Sequence, residues 1–146
     1  MDMDRLLVAA LIAAAAILAW RLVRGLVSPV RFVMPAELKA KLDRGDDLAV
    51  LDVRTPGEFT GGDGHIAGAV NVPLSELDGR LGELGARIGE HDGTEIVVVC
   101  RSGARAATAA RRLRKAGLRD VGVLRGGMLL WRGTGLPTEP GVSGRS

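Results

Sequence analysis

Glu95-Ile96-Val97-Val98-Val99, running straight into Cys100-Arg101-Ser102-Gly103-Ala104-Arg105, reads as a buried strand, a tight loop and the start of a helix. The apolar run is short and β-branched, which suits a strand covered on both faces. Downstream, Ala106, Ala109, Ala110 and Leu113 recur at i, i+3, i+4 and i+7, so Ala104–Ala116 forms an amphipathic helix. Gly117 and Leu118 give a C-cap with its hydrophobic follow-up. Val121–Leu124 is the next strand, and Met128–Trp131 a short final turn with Trp131 packing inward. Strand, helix, strand at this spacing is a parallel crossover unit.

Upstream elements extend the pattern. Val30–Val33 reads as an edge strand, Pro35–Asp43 as a helix with proline in its first turn, and Leu48–Val53 as a second buried strand. Thr55-Pro56-Gly57-Glu58 has the form of a capping box, with Thr55 as N-cap and Glu58 at N3. Gly61–Gly68 is turn-forming, Ala69–Val72 another short strand, and Ser75–Ile88 helical in parts, interrupted by Gly79, Gly82 and Gly85. The fold class expected is α/β: a parallel sheet of about five strands with helices on both faces. His91 falls in a polar loop.

The sole cysteine stands where ligands of open α/β sheets bind, at the carboxyl end of a strand. A helix begins directly after the loop and offers free N–H groups and a partial positive charge. Ser102, Gly103 and Ala104 are small enough for successive N–H groups to converge as an anion nest. This setting favours a thiolate over an inert buried thiol, and no separate base is required. The charged Arg101 and Arg105 argue further against simple burial.

With 146 residues, 47% hydrophobic, 25% charged and a formal net charge of +3, the chain is neither disordered nor a polytopic membrane protein. One cysteine excludes an internal disulfide, and with only His65 and His91 beside it no metal site is expected. No cofactor or nucleotide motif is present. Charge is uneven: residues 1–99 carry 10 Lys/Arg against 15 Asp/Glu, residues 100–146 carry 10 against 2. The basic half begins at Cys100, and its collective field is expected to favour a thiolate and an anionic ligand. The Arg111–Arg119 run lacks interleaved aromatics, so it reads as a solvated face, or secondarily as a contact for lipid headgroups, and not as a nucleic-acid site.

Seventeen of the 18 residues Leu6–Val23 are apolar, the exception being Arg21. Eighteen helical residues span about 27 Å, enough for a bilayer core if Arg21 snorkels to the headgroups. Trp20 falls where an indole prefers the interface. A cleaved signal would want a basic start and small residues at the end, but the flanks are MDMDR and Trp20-Arg21. A buried core helix would show a polar face. The reading is a retained anchor, with a cleaved signal as the alternative. Arg21, Arg24 and Arg31 follow the span while Asp2 and Asp4 precede it, which places the rest of the chain in the cytoplasm at a plasma (inner) membrane. Ser28-Pro29 breaks the helix. The organisation expected is a tail over 1–5, a transmembrane helix over 6–26, a linker and edge strand over 27–33, a catalytic domain over 34–137 and a loose tail over 138–146.

Four stretches together resemble the rhodanese domain family: Leu51–Phe59 (LDVRTPGEF), Gly64–Pro73 (GHIAGAVNVP), Cys100–Arg105 (CRSGAR), and Leu124–Gly127 (LRGG) with Trp131. They occur in the family's order and cover nearly all of the chain beyond the apolar segment. The resemblance implies a sulfurtransferase in which Cys100 takes the outer sulfur of thiosulfate or a related donor. Cys100 then passes it, as a persulfide, to an acceptor such as cyanide, a thiol or a protein. It implies that Arg101 and Arg105 hold the donor, with the Ser102, Gly103 and Ala104 backbone N–H groups completing the site. Asp52 and Arg54, at the end of the Leu48–Val53 strand on the same sheet edge as Cys100, either brace the loop or form a structural ion pair, Arg54 with Glu58. Glu58 is a further brace or a helix cap alone, and His65 a brace or a turn residue satisfied by backbone. Two alternatives remain. One is a non-catalytic tethered binding module. The other is a phosphatase or arsenate reductase on the same fold, against which stands the loop of only four residues between Cys100 and Arg105.

Overall fold

The structure is a computed structural model that describes residues 2–26, 29–89 and 93–141. His91, Ser28 and the last five residues of the expected tail lie outside them. Helix α1 (Met3–Leu26) comes first, followed by β1 (Arg31–Val33), α2 (Pro35–Arg44), β2 (Leu48–Asp52), α3 (Pro56–Thr60) and β3 (Val70–Asn71). Then come α4 (Leu77–Gly89), β4 (Glu95–Val99), α5 (Ala104–Lys115), β5 (Val121–Leu124) and α6 (Gly127–Gly133).

The five strands form one parallel sheet in the order β1-β5-β4-β2-β3. Alternation along β4 sends its side chains to opposite faces. Ile96 and Val98 join Leu77 and Leu84 of α4 and Ala106, Ala109, Ala110 and Leu113 of α5 in one apolar cluster. Val97 and Val99 join Leu38 of α2 and Met128 and Trp131 of α6 in the other. With both faces covered, β4 is the central strand, and its carboxyl end delivers Cys100 to the middle of one sheet edge.

Helix α4 differs from the sequence expectation. It runs unbroken through Gly79, Gly82 and Gly85. Leu77 and Leu84 are buried and Leu81 packs against the same cluster, so one apolar stripe outweighs the poor propensity of the glycines. Helix α1 is exposed throughout residues 3–23, Trp20 included. It is long and apolar enough to cross a membrane, a property an anchor and a signal sequence share.

Candidate active site

Cys100 sits one residue past β4, with its side chain 1% exposed. Its Sγ accepts the N–H of Gly103 at 2.9 Å. Gly103 is also the N-cap of α5, with φ of 112°, a conformation that turns its amide back toward the sulfur and that side chains disfavour. No side chain caps α5, so its first-turn N–H groups are left for the loop and for whatever binds there. Arg101, Ser102 and Ala104 are exposed, and Arg105 is half-buried.

The loop is latched from behind by α6. Met128 N–H donates to the Cys100 carbonyl at 2.9 Å, and Leu129 N–H to the Arg101 carbonyl at 3.0 Å. The approach needs Gly127, whose φ is 57° and where a Cβ would overlap both of those oxygens. Sequence reasoning missed this role; the Gly126-Gly127 pair was its only trace.

The residues expected to brace the loop do different jobs. Arg54 does not pair with the Glu58 carboxylate, the structural ion pair considered from sequence. Its Nε and Nη2 grip Asp52, Nη2 at 2.7 Å, with both side chains almost fully buried. Nη2 also donates to the Gly64 carbonyl at 2.9 Å and Nη1 to the Glu58 carbonyl at 3.3 Å. Asp52 and Arg54 thereby join the end of β2 to α3 and the following turn, and the Asn71 side-chain amide donates to the carbonyls of both. Glu58 closes the capping box with Thr55. The same carboxylate forms a two-point pair with Arg105, both contacts at 2.8 Å. The Arg105 guanidinium, expected to hold a donor, is thus engaged across the loop by α3. Hydrogen bonds from Arg105 hold the Glu58 carboxyl down to about 2; burial opposes them and Thr55 adds to them.

His65 stacks on Phe59 with ring centroids 3.8 Å apart, and its Nδ1 lies 3.1 Å from the Phe59 carbonyl. Its backbone pairs with that of Glu139. It belongs to the turn and to the strap that pairs with it.

A cleft of about 390 Å³ opens beside the loop, lined by Arg54, Glu58, Asp63, Arg101, Leu129 and Arg132 among others. Arg132 is paired with Asp63, whereas Arg101 has no ion-pair partner among the described residues. The charge step at Cys100 is partly offset in space by carboxylates from the first half of the chain. Arg105, Arg112 and Arg132 are individually neutralised by Glu58, Asp78 and Asp63. The last turn of α5 lies at the far end of the helix from the loop.

The sequence model of one family, described as Rhodanese-like domain, matches residues 34–134. Over 117 residues the chain is 40% identical to the HTH-type transcriptional regulator Rv0324 of Mycobacterium tuberculosis, covering 79% of this chain and 47% of that protein. It is 33% identical over 100 residues to a protein of Allochromatium vinosum named Sulfurtransferase, covering 68% and 86%. The chain spans about half the length of the first curated relatives it matches. Among solved structures, thiosulfate sulfurtransferase from Pseudomonas aeruginosa superposes with a TM-score of 0.67 at 28% identity, covering 77% of this chain and 20% of that one. A Rhodopseudomonas palustris protein described as a possible tyrosine phosphatase gives 0.68 at 28% identity, covering 75% and 85%.

Proposed function

The chain belongs to the rhodanese-like domain family, and from that premise we propose that it is a membrane-anchored sulfurtransferase working through a Cys100 persulfide. The Cys100 thiolate attacks the outer sulfur of thiosulfate or a related sulfane donor. The S–S bond of the donor breaks, sulfite departs with the electron pair, and Cys100 keeps the outer sulfur. An acceptor (cyanide, a thiol or a protein thiol) then attacks that sulfur, and the Cys100 thiolate leaves. Two half-reactions through one covalent intermediate give ping-pong kinetics.

The observation that carries this reading is the Gly103 N–H directed at Sγ from the uncapped start of α5. A donor fixed on Sγ supports the thiolate before attack, and the other first-turn N–H groups of the uncapped α5 are left to meet the charge on the terminal sulfur afterwards. Arg101, exposed on the cleft and unpaired among the described residues, is the guanidinium that meets the anionic donor. Arg105, through Glu58, positions the loop. The apolar α1 holds the domain at the plasma membrane, and the arginines after it favour the cytoplasmic side.

Intact-mass analysis after thiosulfate treatment tests the chemistry. The expected result is one added sulfur on the wild-type chain, removed again by cyanide, and none on Cys100→Ser, because a hydroxyl cannot carry a sulfane sulfur. No adduct with thiosulfate or with any other sulfane donor would refute it.

A further inference from the structure

Helix α5 leaves the carboxyl end of β4 and returns the chain to the start of β5, a parallel neighbour, so it runs antiparallel to both strands. Its first turn is at the Cys100 edge of the sheet and its last turn, with Arg112, Arg114 and Lys115, at the opposite edge. Twelve residues at 1.5 Å each put the two ends of the helix about 18 Å apart.

The chain enters the domain at that same opposite edge. Val30 packs against the cluster that α5 covers, and β1 begins at Arg31. Arg114 ties the entry down: its Nη1 donates to the Pro29 carbonyl at 3.0 Å and its Nη2 to the Val121 carbonyl at 3.2 Å. From Leu26, the end of α1, to Pro29 is three residues, a reach of about 10 Å even if fully extended.

Basic groups at this edge fall into two sets. Arg31 and Lys41 pair with Glu95, Arg31 also with Asp120, Arg44 with Asp46, and Arg112 with Asp78. Arg111, Lys115 and Arg119 are exposed and make no ion pair among the described residues. Arg111 and Lys115 are one turn apart on the same face of α5, and Arg119 lies in the link to β5.

We propose that this edge docks on an anionic phospholipid surface through Arg111, Lys115 and Arg119, leaving the Cys100 loop facing away from the bilayer. The proposal rests on reading α1 as a membrane anchor. The short connection keeps the three cations near the headgroups, where an anionic surface potential acts over a Debye length. The loop, about 18 Å further out, stays open to soluble donors and acceptors.

The test uses the full chain carrying Cys100→Ser and a fluorophore on a single new cysteine, Ala116→Cys, in phosphatidylcholine nanodiscs with or without phosphatidylglycerol. A headgroup spin-labelled lipid is the quencher. Quenching is expected to be about threefold stronger in the anionic discs and to fall to the neutral level in raised salt. It should fall likewise when Arg111, Lys115 and Arg119 are all replaced by glutamine. A reporter at Ser75→Cys, exposed and just past β3 at the catalytic edge, should stay unquenched in both discs. Co-elution with the discs but equal quenching in both lipids would overturn the docking alone. Failure to co-elute would overturn the anchor reading and the docking with it. The salt arm needs no charge variant, so a misfolded triple variant would not decide the matter.

Discussion

Glu58 carries two loads with one carboxylate, the start of α3 and the guanidinium of Arg105. Its depressed pKa, about 2 against an ordinary 4.5, converts that geometry into a pH signature. A carboxyl whose pKa is lower in the folded than in the unfolded chain contributes its full stability above the unfolded value. That contribution is lost as pH falls through the folded one. The two side chains are 32% and 35% exposed, so screening limits the pair to about 1 kcal/mol. Glu58→Gln should therefore lower Tm by about 4–8 °C at pH 7. Thermal melts of both proteins should converge as pH is lowered from 4.5 toward 2. A gap that stays constant across that window would mean the charge contributes nothing. The pairing was not legible in the sequence, because Glu58 already had a complete local explanation in the capping box. Its partner is 47 residues away. Cys100 was legible for the opposite reason: strand, cysteine, small-residue loop and helix are contiguous.

At the scale of elements, α4 and α6 show where local preference loses and where it decides. Gly82 sits inside α4, and a Cβ there would meet nothing within 4 Å. Gly82→Ala should raise stability by about 0.5–1 kcal/mol, since the helix exists already and the unfolded chain loses freedom. Chemical denaturation checks this, and a loss of stability would show that the glycine is needed after all. Gly127 is the reverse case. Its positive φ and its contact with the Cys100 and Arg101 carbonyls leave no room for a methyl group. Gly127→Ala should cost about 2–4 kcal/mol and abolish persulfide formation, whereas Gly133→Ala, with open space around it, should be neutral. Denaturation and intact-mass measurements on the pair separate a loop defect from a general effect of alanine in α6. The sequence read α4 as interrupted because propensity is a local quantity, while the Leu77, Leu81 and Leu84 stripe counts only once α5 and the sheet cover it. It read β2, β4 and β5, and the start of α3, to within a residue because their apolar runs and caps are self-contained.

Across the whole molecule, the two compositional splits in the chain acquire different meanings. The basic excess after Cys100 divides between the two edges of the sheet: Arg101, Arg105, Arg125 and Arg132 lie toward the Cys100 end, and Arg111, Arg112, Arg114, Lys115 and Arg119 along α5 and its link to β5, so it is only in part a property of the Cys100 loop. The apolar excess stands apart from the core: among the described residues α1 contributes nothing to either apolar cluster, and the faces of the parallel sheet are covered by α2, α4, α5 and α6. Stability and membrane attachment are therefore expected to separate cleanly. Residues 2–23 are exposed throughout, so a chain lacking residues 1–28 should have a Tm within about 2 °C of that of the full chain, less than the shift from 1 kcal/mol in a domain of this size. The same truncation should move the protein from the detergent-requiring fraction to the soluble one. Differential scanning calorimetry and fractionation on the two chains measure both. A drop in Tm of more than about 5 °C would mean that α1 packs on the domain and is a structural helix, because a loss of that size corresponds to about 1 kcal/mol of buried contact.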